Sequence, residues 1–270
     1  MKHTNTEIPQ NLNPHSGQVV FITGAAGTIG SAIARRFAQQ GAKLALMDKV
    51  ELNQLQALEA ELKAQGASHV ISIQGDLSNT ERHAEWVQKI VQEMGPIHCL
   101  INNAGMGALR RADMLELTPE AFDVVMNVNL KGTFFLTQKV MAHMLTQQEV
   151  SHPRAIITVS SISVDVASVE RVEYCMSKSA LGMLTKLVAL RLAAANIPAF
   201  DLRPGITHSG MTKPVEARYD KLIAEGLVPI GRWGEGEDMA NIALSLASGN
   251  FAFATGTVIQ ADGGLTIPSL

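Results

Sequence analysis

From residue 18 onward the chain repeats one pattern. A short apolar run breaks off at Gly, Asp, Asn or Ser, and a longer stretch follows whose apolar residues recur every three or four positions. The runs fall at 18–23, 43–48, 70–73, 98–101, 155–159, 198–202 and 258–261. A period of three to four marks a helix, so helices are expected over 29–40, 80–94, 119–147, 174–195 and 237–248. One more is marked by Leu52, Leu55, Leu58 and Leu62 and closed by Gly66. Strands that are apolar on both sides must be covered on both faces, and strand–helix–strand alternation makes the sheet parallel. The expectation is an α/β fold with helices on both faces of one sheet. No linker divides the chain, so one domain is expected over 17–270, preceded by a polar, flexible tail over 1–16.

Composition removes several classes of function. With 46% hydrophobic residues, 270 residues can fill one large core. A net charge of −3 is unlike the concentrated basic face that nucleic acid requires. The first apolar run, Val19-Val20-Phe21-Ile22, is cut off by Gly24, and no run approaches the roughly 18 residues of a membrane helix. The segment before it lacks the apolar stretch of a secretion signal. Only Cys99 and Cys175 are present, far apart, which excludes a disulfide framework and fits a reducing cytoplasm. The eight histidines form no ligand-spaced set, so no metal is expected. The Gly-x-Ser-x-Gly signature of one hydrolase class is absent.

The chemistry is carried by residues at the strand ends. Thr23-Gly24-Ala25-Ala26-Gly27-Thr28-Ile29-Gly30 joins the first strand to the first helix. Small residues there let backbone approach a diphosphate, and the helix N-terminus offers free N–H groups. Asp48 ends the second strand, 18 residues after Gly30, where a carboxylate accepts from the ribose 2′-hydroxyl of NAD and repels a 2′-phosphate. Asp76 and Asn103 follow the third and fourth strands on the same carboxyl edge, where open α/β sheets bind ligands. Taken singly, each is an ordinary turn residue or helix cap.

Tyr174 and Lys178 stand four apart on one expected helix and share a face. An ammonium near a phenol favours phenolate, which would let Tyr174 exchange a proton with an alcohol near neutral pH. Alone, such a pair is most often a solvated helix face. Here it follows a strand ending in Ser160-Ser161, whose hydroxyl could hold a substrate oxygen 13 residues before Tyr174.

Together these residues resemble the short-chain dehydrogenase/reductase family. The matching positions are Thr23-Gly24-x-x-x-x-x-Gly30, Asp76, Asn102-Asn103-Ala104-Gly105, Asn129, Ser161, Tyr174-x-x-x-Lys178, Arg203-Pro204-Gly205 and Asp262-Gly263-Gly264, and the likeness spans about residues 17–267. It implies a single Rossmann-type domain with a seven-stranded parallel sheet and a homotetramer. It also implies that Tyr174 is the general acid/base, that Lys178 holds the nicotinamide ribose and lowers the Tyr174 pKa, and that Ser161 orients the substrate. Asn129 would hold a water linking Lys178 to solvent. The cofactor site implied comprises Gly24, Thr28, Ile29 and Gly30 at the diphosphate, Asp76 and Leu77 at the adenine, and Asn103 near the adjoining ribose. At the nicotinamide end it comprises Tyr174, Lys178, Pro204, Gly205, Thr207 and Ser209. Two positions depart from the family pattern. Thr28 replaces a glycine, so Gly27 is expected to supply the conformational freedom, and Ser209 replaces a threonine with the hydroxyl kept.

Within that family the overall pattern is nearest to members labelled 3-oxoacyl-[acyl-carrier-protein] reductase. Asp48, however, favours NAD over NADP. Phe135 and Ala195 stand where such members carry the basic residues that dock an acidic carrier. The expected reaction is therefore the NAD(H)-dependent interconversion of a secondary alcohol or sugar hydroxyl and a carbonyl, on a small polar substrate, neutral or anionic. Met106, Ser163, Arg171 and His208 are candidate substrate contacts, with Arg110 and Arg111 at the rim. Reduction of a 3-oxoacyl thioester is the alternative, and a dinucleotide-binding regulator without catalysis is the reading of another class. The glycine- and proline-bearing segment 206–234 reads as a lid.

Overall fold

The computed structural model describes residues 13–147 and 151–268. Seven strands form one sheet in the order β3-β2-β1-β4-β5-β6-β7, and every neighbouring pair is parallel. They are β1 (Val19–Thr23), β2 (Lys43–Asp48), β3 (His69–Gln74), β4 (Cys99–Asn102), β5 (Ala155–Val159), β6 (Ala199–Pro204) and β7 (Val258–Ala261). The helices are α1 (Thr28–Ala38), α2 (Leu52–Ala64), α3 (His83–Met94), α4 (Pro119–Met126), α5 (Thr133–Thr146), α6 (Val172–Leu192), α7 (Glu216–Ala224) and α8 (Gly236–Leu246). Among the described residues no helix is long and apolar enough to cross a membrane.

Alternate side chains of a strand point to opposite faces, and β1 divides accordingly. Val20 and Ile22 enter a core with Ile33 and Phe37 of α1, Leu55 and Leu62 of α2, and Met239 and Ala243 of α8. Val19 and Phe21 enter the other, with Trp86 and Ile90 of α3, Leu136 and Val140 of α5, and Leu181 and Val188 of α6. Strand order reverses between β1 and β4, which opens a crevice at their carboxyl ends.

Two elements differ from the sequence expectation. The helix expected over 119–147 is broken into α4 and α5 by a π-helical stretch, Asn127–Gly132. An inserted residue of this kind re-aims its neighbours. Here it buries Asn129, and Gly132 backs so closely onto Leu77 that a Cβ would lie 2.4 Å from the Leu77 carbonyl oxygen. Second, residues 13–16 of the expected tail form a turn on the domain, with the Asn13 amide donating to Gln40 O and His15 buried. The rest of that tail lies outside the described residues. Segment 206–234, read above as a lid, carries α7 and a small apolar cluster of Ile223, Val228 and Trp233.

Candidate active site

The crevice is a cleft of ≈ 390 Å³ running from the end of β2 to the N-terminal half of α6. At one end the loop between β1 and α1 is held by Asn103, whose amide donates to Thr23 O and Gly24 O, both at 3.0 Å. Gly24 has φ +64, a conformation that side chains resist. A Cβ on Gly30 would lie 2.2 Å from Gly24 O, so only glycine lets the helix start this close to the strand. Gly27 does not supply the freedom expected of it, since its φ is −69, and Thr28 is simply the first helical residue. The turn needs its left-handed residue at Gly24 alone, and a Cβ at 28 is harmless. The first internal bond of α1 runs from Ser31 N to Gly27 O, which leaves the N–H groups of Thr28, Ile29 and Gly30 open to an anion.

The Asp48 carboxylate accepts from Ala26 N at 2.9 Å and Lys49 N at 2.7 Å, so it ties β2 to the glycine loop while lining the cleft. Asp76 accepts from Ser78 N and Ser78 Oγ, and these bonds hold its carboxyl below the usual range. Leu77 walls the cleft beside it. A glycine-clamped helix start with open N–H groups and a carboxylate across from it fits a dinucleotide.

At the other end Ser161, Tyr174 and Lys178 reach the same cleft. The Ser161 hydroxyl accepts from Ser163 N at 3.0 Å, so the turn after β5 aims it. Lys178 is buried and donates to Val159 O at 3.1 Å, and desolvation pulls its ammonium down to about 8 against the opposing field of Asp201. The expected depression of the Tyr174 hydroxyl by Lys178 is absent. Burial raises it, while Ser161, Arg171 and Arg111 work against that rise. The geometry explains this: the Lys178 Nζ lies 5.8 Å from the Tyr174 ring centroid and faces β5.

Asn129 does not line the cleft. Its amide hydrogens go to Met106 O and Ser177 Oγ, and its Oδ1 accepts from Met106 N at 2.8 Å. It pins the Met106 turn at the rim and reaches the same small space as Lys178, since a Cβ on Gly105 would lie 3.3 Å from Asn129 Oδ1 and 3.5 Å from Lys178 Nζ. Pro204, Gly205, Thr207 and Ser209 line the floor. A Cβ on Gly205 would come within 2.6 Å of Asp262 Cα, which accounts for the glycine.

Of the four candidate substrate contacts, Met106 lines the cleft, and the Arg171 guanidinium sits 5.4 Å from the centre of the Tyr174 ring. The other two are placed elsewhere. Ser163 is buried in the turn that aims Ser161. His208 stacks on Trp233 at 4.4 Å, bonds Glu235 at 2.7 Å and borders a neighbouring cavity that shares Ser209 and Thr212 with the cleft. Sequence reasoning missed Val128, brought to the cleft by the π stretch, and Thr212, whose hydroxyl donates to Thr207 O and accepts from Ser209 N. The spacing of Ser209 and Thr212 was the available signal for the second.

A doubly wound parallel sheet with a glycine-loop cradle and a Ser, Tyr and Lys set at opposite ends of one cleft defines a Rossmann-type oxidoreductase. The chain belongs to the short-chain dehydrogenase/reductase family: the family model described as enoyl-(acyl carrier protein) reductase matches residues 24–266. A relative from Thermotoga maritima, 3-oxoacyl-[acyl-carrier-protein] reductase FabG, is 36% identical over 255 residues, covering 93% of this chain and 98% of its own. A 2-dehydro-3-deoxy-D-gluconate 5-dehydrogenase from Dickeya dadantii is 32% identical over 251 residues, covering 92% and 95%. The crystal structure of a 3-oxoacyl-[acyl-carrier protein] reductase from Brucella melitensis in complex with NAD superposes with a TM-score of 0.91 at 46% identity, covering 94% of this chain and 98% of that one.

Proposed function

We propose that this oxidoreductase interconverts a secondary alcohol and a carbonyl with NAD(H), on a small hydroxylated substrate of the sugar, polyol or hydroxy-acid kind. The observation that carries the reading is the convergence of Ser161, Tyr174 and Lys178 on the cleft whose far end is closed by Asp48. The α1 N-terminus would hold the diphosphate, Asp48 the adenosine ribose, Asp76 and Leu77 the adenine, Lys178 the second ribose, and Thr207 the carboxamide. When bound, the nicotinamide donates or accepts the hydride. The Ser161 hydroxyl orients the substrate oxygen, and Tyr174 gives that oxygen a proton in reduction and takes it in oxidation. Because burial raises the Tyr174 hydroxyl, it rests protonated at neutral pH, and alcohol oxidation is expected to quicken toward alkaline pH.

Asp48 supports NAD over NADP, and a relative solved with NAD agrees with that choice. Arg171 and Arg111, whose fields reach Tyr174, support a substrate that carries hydroxyls or a carboxylate. The names of the Thermotoga maritima and Brucella melitensis relatives favour a second reading, reduction of a 3-oxoacyl thioester. Steady-state kcat/KM over a panel of sugars, polyols, sugar acids and acyl thioesters decides between them, and faster turnover of the thioesters would overturn the first. A homotetramer is part of the same proposal. The outer face of α6 leaves Met183, Leu187 and Leu190 exposed beside Phe134 of α5, and light scattering on the purified chain tests it.

A further inference from the structure

A buried charge pair lies directly behind the reacting groups. Asp201 and Arg203 stand two residues apart on β6 and share a face, with side chains only 1% and 7% exposed. The Ser160 hydroxyl donates to Asp201 Oδ1, and the Arg203 Nε donates to Asp201 Oδ2 at 2.7 Å. The same guanidinium reaches on to the carboxylate of Asp165. Ser160 and Asp165 bracket the segment that contains Ser161 and its turn, Ile162–Val164. Helix α6 closes over the pair at Gly182, where a Cβ would lie 3.2 Å from Arg203 Nη2 and 3.4 Å from Asp201 Oδ2. A pair this deep costs desolvation that an apolar pair would avoid, so hydrophobic packing alone gives no reason for it.

We propose that Asp201 and Arg203 are positioning residues for the reaction: they clamp both ends of the loop that carries Ser161, and Asp201 supplies the counter-charge for the Lys178 ammonium. This rests on the reading of Ser161, Tyr174 and Lys178 as the reacting set. The groups facing Lys178 are Tyr174 on its own helix, the Asp201–Arg203 pair from β6, the Asn129 amide from the π stretch and the Val159 carbonyl from β5. Of these only Asp201 is a carboxylate; it lies against Gly182, one helical turn beyond Lys178 on α6, and its field opposes the desolvation of the lysine.

The test is NADH binding, followed by fluorescence from about pH 6 to about pH 10, together with hydrogen exchange over residues 160–166. The chains compared are the full-length protein, D201N, D165N and K178M. Affinity of the unaltered protein falls as pH rises through the Lys178 value near 8. In D201N that fall moves acidward by about one pH unit, because the opposite charge has gone. D165N leaves the fall where it was but quickens exchange over the Ser161 loop, which a passive surface carboxylate would not do. A folded D201N with an unmoved pH profile overturns the counter-charge, and unchanged exchange in D165N overturns the clamp, whether or not D201N folds. A pH-dependent fall that survives in K178M overturns the assignment of Lys178 itself, which is a different failure.

Discussion

Acid stability offers a quantitative check on the packing beneath the sheet. His98 is buried at the amino end of β4, and its Nδ1 accepts from Val19 N at 2.9 Å. Burial first, then the fields of His152, Lys43, Arg154 and His143, push its imidazole down to about 3. In an unfolded chain it returns to about 6.5. The folded form therefore refuses a proton that the unfolded chain takes up, so stability is whole above the unfolded value and drains away as pH falls from there toward the folded one. At pH 5 the gap already used is about 1.5 units, or about 2 kcal/mol at 1.36 kcal/mol per unit. The substitution that isolates this is His98→Asn, whose amide oxygen still accepts from Val19 N but does not titrate. Each protein is compared with itself by differential scanning fluorimetry at pH 7 and pH 5 and equal ionic strength. The variant is expected to lose about 5 °C less Tm on acidification than the unaltered chain. A residual slope remains, because His15, His83 and His143 are lowered too. Equal losses in the two proteins would refute the assignment of acid sensitivity to His98.

Three further outcomes follow from the site. Tyr174→Phe removes the proton donor and leaves the cradle intact, so kcat should fall by about a thousandfold while NADH affinity, measured by fluorescence titration, stays within about twofold. Asp48→Asn removes the charge that would repel a 2′-phosphate, so the ratio of NADPH to NADH Kd should narrow by about tenfold or more, and an unchanged ratio would refute the role given to Asp48. Gly30→Ala sets a methyl 2.2 Å from Gly24 O, so α1 must shift, with a stability loss of about 1–3 kcal/mol and weakened NADH binding, both readable in one melt with and without NADH.

The alternation of apolar runs made the sheet legible from sequence, because a strand buried on both faces has few other compositions open to it. The expected bounds of β2, β5 and β7 match those observed. What escaped was set by long-range contact. The expected continuous helix over 119–147 is interrupted by the π stretch where Asn129 bonds Met106 and Gly132 packs on Leu77, contacts with residues far off in the chain. The sixth apolar run ends at 202, yet β6 continues through Pro204, because Arg203 is buried and paired to Asp201. At the site, the family-spaced residues fall around one cleft, with Gly30 and Asn129 bracing it from behind. His208 is held beside the cleft lining, stacked on Trp233 and bonded to Glu235, neither of which its sequence spacing announces.

The π stretch between α4 and α5 separates what the fold needs from what the site needs. Each residue of an α-helix turns the chain by about 100°, and the wider π turn absorbs one extra residue without passing that rotation on, so α4 and α5 keep the mutual phase of one regular helix. Val125, buried on α4, and Leu136, Val140 and Met144, buried on α5, therefore face the protein interior together despite the extra residue. Loss of that residue would leave both helices facing the core and undo the bulge that sets Asn129 against Met106 and brings Val128 to the cleft. A one-residue deletion in 127–132 is thus expected to damage the site more than the fold.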